Sequence, residues 1–212
     1  MKKYFFALSY SFLLLLYAYF CYLMVEISLQ YIPYHTDIAF LRIKQDYIHW
    51  DFYRLSFFIH AYCAVLVLPA GFTQFSGYIR QHYPLLHRWN GWLYAVAILV
   101  LVAPSGLVLG IFANGGWSSQ LGFCLLAVFW LYFTWKAIKL IRKKEFRAHQ
   151  RFMLRSFALT LSAITLRIWK VVLVTFFQPK PMDVYRWVAW LGWVVNLIII
   201  EFIIYKYYQK RE

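Results

Sequence analysis

The 212-residue chain is 63% hydrophobic and 23% aromatic, and only 14% of its residues are charged. A soluble domain carries about 25% charged residues, so this composition excludes an ordinary water-soluble fold. The high aromatic content also excludes a disordered chain. A net charge of +14 would suggest nucleic acid as the partner of a soluble protein. In so apolar a chain it indicates basic loops facing a cytoplasm, so we expect a lipid bilayer and no nucleic acid as partner.

Six apolar segments are long enough to cross a membrane, which takes about 20 residues at about 1.5 Å per residue. They lie at about 4–25, 55–77, 91–113, 121–141, 152–177 and 184–205. The first follows Lys2 and Lys3 but has no small-residue cleavage site, so we interpret it as a retained helix and not as a signal peptide. The sequence therefore predicts an all-α integral membrane protein with six transmembrane helices, a core of four-helix type and a single domain over 1–212.

The lysines and arginines are unevenly distributed between the two sides of these spans. With the N-terminus inside, most of them fall in the inner segments, above all in the run from Lys136 to Arg151. Basic residues in short loops stay on the cytoplasmic side, so both termini are predicted to be cytoplasmic. The outer segment 26–54 mixes aromatic and charged residues, which is typical of an interfacial helix. Gly115 and Gly116 are expected to form a tight outer turn.

Ionisable residues inside a span are costly, and they usually face the bundle interior or a bound group. The predicted spans contain His60, Arg155, Arg167, Lys170 and Glu201. Two further histidines, His87 and His149, lie at the inner mouths of the third and fifth helices. At about 100° per residue, each of the three histidines begins a stripe of mainly small or polar residues. Such stripes suit helix–helix contacts, or they leave room for a flat prosthetic group.

The histidines have more than one interpretation. Neutral imidazole is a ligand of haem iron, zinc and copper, so His87 and His149 would hold one haem or metal centre near the inner face. Alternatively, both are solvated residues of basic loops. His60 either contributes to a second site or makes a hydrogen bond across helices and does no more.

The cations in the fifth helix also need explaining. Arg167 and Lys170 lie roughly 15 and 10 Å deep, and the outer halves of the spans offer no acid to pair with them. Their anion would be a haem propionate, a lipid phosphate, a quinone oxygen or a carboxylate on another subunit, although Lys170 can also snorkel to the outer interface. Arg155 and Glu201 lie near the inner ends of their helices. We interpret them as a structural ion pair, with a proton relay as the alternative.

Several strings of the sequence together resemble one bacterial family of membrane proteins. They are Phe57-Phe-Ile-His60, Pro69-x-Gly-x-x-Gln-Phe75, Pro84-Leu-Leu-His-Arg-Trp-Asn-Gly91, Ala148-His-Gln-Arg-Phe-Met153, Thr165-Leu-Arg-Ile-Trp169 and Trp193-Val-Val-Asn196 with Glu201. Over about 38–205 the chain resembles the family called domain of unknown function 2306, DUF2306. The resemblance implies a multi-helix protein of the bacterial inner membrane in which these histidines, arginines and Glu201 are family features.

This family is distantly similar to the membrane domains of cytochrome b-561 and ferric reductases. Those domains carry two haems in a four-helix core, each held by histidines on two helices. The present chain departs from that pattern because its segment 121–141 has no histidine, so a fourth ligand would have to come from His35 or His49. Because one of the four histidine ligands is missing from the helices, we expect a single haem or metal centre and not two.

Three functions follow as alternatives. The first is an electron-transfer protein with a b-type haem at His87 and His149, and with a quinone or second centre near His60, Arg167 and Lys170. The second is a non-enzymatic accessory or assembly subunit of a larger membrane complex. The third is a transporter or proton pathway. Zinc-dependent hydrolysis is a minor alternative, because His60 is too far along the membrane normal to share one ion with the other two histidines. The sequence leaves open whether the protein is an enzyme.

Overall fold

The computed structural model describes residues 2–209, and it describes side chains for Leu8 and for Ser11 to Tyr207. This part of the chain is helical and contains no β-strand, which confirms the predicted all-α class. The chain divides into two compact units, Met1–His49 and Trp50–Glu212.

The first unit consists of one long helix followed by short helical turns. Helix α1 covers Lys2–Leu29, and its segment Ser11–Leu29 is long and apolar enough to cross a membrane. The predicted outer segment begins within this helix and continues as a 3-10 helix, Ala39–Lys44, and a four-residue helix α2, Gln45–Ile48. Lys44 is buried, and its ammonium lies over the rings of Phe40 and Tyr47, 5.8 and 5.5 Å from their centroids. Burial lowers the pKa of Lys44 to about 8.

The described part of the second unit, residues 50–209, forms a bundle of eight α-helices. They are α3 Asp51–Thr73, α4 Gly77–His82, α5 Pro84–Val96, α6 Ala103–Ile111, α7 Trp117–Arg142, α8 Phe146–Thr160, α9 Ser162–Phe177 and α10 Pro181–Ile204. Proline at the first position of α5 and α10 favours a helix start, because that N–H has no partner within the helix. The side chain of Ser76 caps α4 by accepting from the Ile79 N–H at 3.2 Å. Gly115 and Gly116 make the turn before α7 with φ of +88° and +81°, which other residues rarely adopt.

A π-helical segment, Ala97–Val102, joins α5 and α6 into one apolar stretch, Pro84–Ile111. Pro104 is the second residue after this segment, and proline has no N–H to donate to the preceding turn. Helix α10 likewise continues as a π-helical turn, Tyr205–Gln209.

The described residues contain five helices long and apolar enough to cross a membrane, and a sixth such span if α8 and α9 count as one. These two helices meet at a bend of 41°, where the length of the apolar segment predicted a single membrane span over about 152–177. A side chain from a neighbouring helix bonds to the backbone beside the bend. Asn196 Nδ2, on α10, donates to the Ala158 carbonyl at 3.0 Å. A broken helix is tolerated in a membrane when its freed backbone groups are satisfied in this way.

Packing within the bundle follows from small residues at the helix crossings. Helix α3 packs against α5, the π-helical segment and α6, while α7 lies between α6 and α8, and α10 covers α7, α8 and α9. A Cβ at Gly122 would lie 3.0 Å from the Ala189 carbonyl oxygen, and one at Gly192 would lie 3.0 Å from Leu166 Cβ. The core contains Tyr94, Ile98, Val102 and Leu159, all essentially inaccessible. The end of the bundle at which α3 and α7 finish and α5 and α8 begin is called the basic end below.

Candidate functional site

A cavity of about 570 Å³ opens at the basic end, between the ends of α3, α5, α7 and α8 and the short helix α4. We call it the histidine cavity, because it brings together His87 and His149 from different helices. Apolar and aromatic side chains, Phe75, Trp92 and Met153 among them, form a large part of its remaining walls. An apolar pocket with a few convergent polar groups is the usual form of a cofactor or small-molecule site.

His149 is oriented by a backbone carbonyl of the neighbouring helix. It lies on the first turn of α8, and its Nδ1 is 2.9 Å from the carbonyl oxygen of Ala137 on α7. A carbonyl can only accept, so Nδ1 carries the proton and donates it, and Nε2 is left unprotonated. In residues 2–209 no side chain or backbone group bonds to Nε2. A hydrogen bond from Nδ1 to a backbone carbonyl orients histidine ligands of metal centres in the same way.

His87 lies on the first turn of α5, three residues after Pro84. Gln74 Nε2 donates to the His87 carbonyl at 3.1 Å. The Gln74 side chain also lies against Gly91, since a Cβ added to Gly91 would be 2.9 Å from Oε1 of Gln74. The Nδ1 of His87 is buried and has no hydrogen-bond partner among the described groups. His87 also lies within electrostatic range of His149. The cavity therefore holds two imidazoles with unsatisfied nitrogens.

The donor set of the histidine cavity suits haem iron better than a closed zinc site. Structural zinc sites normally have four ligands and catalytic ones three. No cluster of three or more histidine, cysteine or acidic side chains lies together in the described part of the chain. A haem iron needs only one or two protein ligands, and imidazole is among them, so two imidazoles on different helices could hold it.

Arginines give the histidine cavity a positive charge. Arg80, Arg88 and Arg142 line it, and no acidic residue does. The guanidinium of Arg142 lies 5.9 Å from the ring centroid of Trp92, which fixes it against the cavity wall. Guanidinium groups bind carboxylates and phosphates through paired hydrogen bonds, so the cavity suits a ligand with an apolar body and anionic groups.

His60 lies in a different part of the bundle. Its Nδ1 is 2.9 Å from the carbonyl oxygen of Val102, where the π-helical segment ends, and its ring fills the space beside Gly106. Arg167 is within electrostatic range of His60 and donates to the Ala163 carbonyl of its own helix. Lys170 is exposed. The structure thus groups His60 with Arg167, apart from the histidine cavity, and leaves Lys170 on the surface.

Arg155 and Glu201 meet across helices α8 and α10. Nε of Arg155 donates to Oε1 of Glu201, and Nη2 donates to Oε2 at 2.8 Å, so the pair is bidentate. The guanidinium also lies over the ring of Phe152, 5.0 Å from its centroid. The side chain of Glu201 is 50% exposed and that of Arg155 only 19%. This geometry is that of a helix-to-helix ion pair.

Sequence reasoning did not anticipate a buried hydroxyl network beyond the histidine cavity. The Tyr94 hydroxyl is 2.8 Å from both Ser156 Oγ and Thr160 Oγ1, and Ser156 Oγ is 2.7 Å from Thr134 Oγ1. Tyr94 continues the stripe that His87 begins, and Ser156 and Thr160 continue the stripe of His149. The helical period placed these hydroxyls on the right faces, but it did not show that the two faces meet.

A comparison with protein families identifies the chain. The DUF2306 family, described as a predicted membrane protein, matches residues 57–204, a region that contains every site residue predicted from the sequence except the outer histidines His35 and His49. No curated protein and no solved structure matches the chain. The family description gives a membrane location and no activity. Because the match covers well over half of the sequence, the chain belongs to the DUF2306 family of predicted membrane proteins.

Proposed function

We propose that the protein is a multi-pass membrane electron-transfer protein that binds one b-type haem between His87 and His149. The observation that carries this proposal is the histidine cavity, in which two imidazoles from different helices share a space of about 570 Å³. When bound, haem supplies one-electron redox chemistry, and the protein sets its position and electrostatics.

The residues of the cavity have separate tasks in this proposal. The Ala137 carbonyl orients His149 so that Nε2 would be free to hold the haem iron. The guanidinium groups of Arg80, Arg88 and Arg142, which line the cavity, would neutralise the carboxylates of the haem. Phe75 and Met153 would exclude water from the bound group.

We further propose that the protein lies in the inner membrane of a bacterium. The basic end and both termini are then on the cytoplasmic side of that membrane. The loops around Arg80 and the run from Lys136 to Arg151 lie together at this end, and basic residues in short loops are retained in the cytoplasm. A single cysteine introduced at Lys144, in a variant without the natural cysteines, should be protected from an impermeant thiol reagent in intact cells. Labelling of that cysteine before the cells are opened would show that the basic end faces away from the cytoplasm.

The experiment that tests the haem is a visible absorption spectrum of the full-length protein. The protein is expressed with ample haem, purified in detergent and measured oxidised and then dithionite-reduced. We expect a Soret band and sharp reduced α and β bands. His149→Ala and His87→Ala should each abolish or strongly shift these bands. His82→Ala is the matched control, because His82 is exposed at the same end and bonds only to the Tyr78 carbonyl of its own helix.

A flat spectrum of the wild-type protein would refute the haem proposal, and so would bands that persist unchanged in both His87 and His149 variants. Elemental analysis for zinc and copper on the same preparation then tests the metal-ion alternative. A quinone near His60 and Arg167, an accessory role in a larger complex and a transport role stay predictions of the sequence.

A further inference from the structure

Lys170 lies on an exposed apolar face of α9, in the span that α8 and α9 form together. Its side chain is exposed, and so are those of Val174 and Phe177, which follow four and seven residues later on the same face of the helix. Because α9 ends at Phe177, Lys170 lies about 10 Å before the end of the helix. A charge at this depth on a lipid-facing surface is costly unless an anion pairs with it.

Lys170 has no such anion within the described part of its own chain. Its ammonium makes no hydrogen bond and no ion pair there. The side chains of a helix lean toward its N-terminus, so that of Lys170 leans away from the nearer end of α9. Snorkelling to the nearer interface is therefore unfavourable, and Lys170 requires an anion inside the membrane.

Helix α1 carries the complementary charge. Glu26 is exposed and belongs to the apolar stretch Ser11–Leu29, very little of which is buried. Its carboxylate accepts from the Tyr22 hydroxyl, and no basic group among the described residues pairs with it. The other described acids of the candidate spans each have an arginine partner, namely Asp51, Asp183 and Glu201. Within the described spans, Glu26 is thus the acid that lacks a cation.

Glu26 and Lys170 lie at similar depths in their spans. Glu26 is three residues before the end of α1 at Leu29, about 5 Å of helix, and Tyr22 draws its carboxylate toward the middle of the helix. In a chain of six spans the first and the fifth cross the membrane in the same direction. The offset between the two positions is four residues, about 6 Å, which a lysine side chain can bridge.

We propose that two copies of this chain associate in the membrane, with Glu26 of one copy paired with Lys170 of the partner subunit. In a dimer with twofold symmetry the same surfaces meet twice, so two identical ion pairs form. Polar contacts of this kind hold helices together in membranes, where apolar surface alone gives little drive to associate. The exposed Tyr19 shares the face of Glu26 on α1 and supplies apolar contact beside the ion pair. This proposal does not depend on haem.

The test is Förster energy transfer between full-length copies that carry donor or acceptor fluorescent proteins at the C-terminus, reconstituted in liposomes at decreasing protein-to-lipid ratios. We expect the wild-type protein to show transfer that falls with dilution and gives a dimerisation constant. Lys170→Gln should weaken dimerisation about tenfold or more, as for the loss of a charge-assisted hydrogen bond. Lys180→Gln is the matched control, because Lys180 is an exposed cation of the turn that follows α9.

A charge reversal tests the pairing between copies directly. Glu26→Lys alone brings like charges together, and so does Lys170→Glu, so neither variant should show transfer by itself. A mixture of the two variants restores both ion pairs between different copies, so donor and acceptor on the two variants should again show transfer.

Three results would overturn the proposal. Absence of transfer in the wild-type protein at every ratio would mean that Lys170 finds its anion on a lipid or on a different protein, and this measurement needs no variant to fold. Equal dimerisation constants for Lys170→Gln and Lys180→Gln would show that the copies meet through another surface. A wild-type dimer whose two charge-reversed variants fail to associate in the mixture would exclude Glu26 as the partner of Lys170.

Discussion

Gly71→Ala is expected to destabilise the bundle, because helix α3 crosses α5 and α8 with no room for a methyl group. A Cβ at Gly71 would lie 2.7 Å from Cε2 of Tyr94 and 2.7 Å from Cδ2 of Phe157. These distances are too short for non-bonded carbon atoms, so a neighbour must move. Tyr94 is fully buried, and its hydroxyl is bonded to two hydroxyls of α8. Either the ring of Phe157 must therefore move, or the helices must move apart.

Overpacking of this kind costs about 1–3 kcal/mol of the free energy of unfolding. For a chain of this size each kcal/mol lowers the melting temperature by roughly 2–4 °C, so we expect a decrease of about 2–12 °C. Gly77→Ala is the matched control. A Cβ at Gly77, the first residue of α4, meets no heavy atom within 4 Å. The control should be neutral or stabilise by about 0.4–1 kcal/mol, because alanine lowers the entropy of the unfolded chain.

The assay compares the two variants in detergent by thermal unfolding, followed by tryptophan fluorescence and by circular dichroism. Unfolding by titration with sodium dodecyl sulfate gives an independent midpoint. Equal midpoints for Gly71→Ala and Gly77→Ala would refute the close approach of α3 to Tyr94 and Phe157. The arrangement of the histidine cavity depends on the same crossing, because Gln74, which lines the cavity, directly follows the end of α3, three residues after Gly71.

Three further substitutions test other contacts, each by the unfolding midpoint. Tyr94→Phe should cost about 1 kcal/mol by removing the hydroxyl shared by α5 and α8, and an unchanged midpoint would contradict that network. Glu201→Gln should lower the free energy of unfolding by about 1 kcal/mol, because Arg155 loses its carboxylate partner. The decrease should be smaller in high salt, because Glu201 is half exposed and the ion pair is screened. Lys44 has a folded pKa of about 8 against an ordinary value of 10.5, so its unfolded form binds more protons between these values. Stability should therefore rise as the pH increases from about 8 to about 10.5, and Lys44→Met should remove this rise.

The sequence by itself determined the class of the protein and the approximate positions of its apolar spans. In hydrocarbon every backbone polar group needs an internal partner, so long apolar segments must be helices. The exact ends were less well predicted, since α5 begins at Pro84, seven residues before the predicted span. The topology of the spans also placed His87 and His149 at one end of the bundle, and the family resemblance followed from the same strings of residues.

Only the tertiary structure decided which helix faces meet. It brought His87 and His149 to one cavity, separated His60 from them, and joined Arg155 to Glu201. It also bent the fifth span, where Asn196 supplies a hydrogen bond from a distant part of the chain. The period of a helix fixes which residues share a face, but the neighbour that a face contacts depends on the volumes and hydrogen bonds of residues far away in sequence.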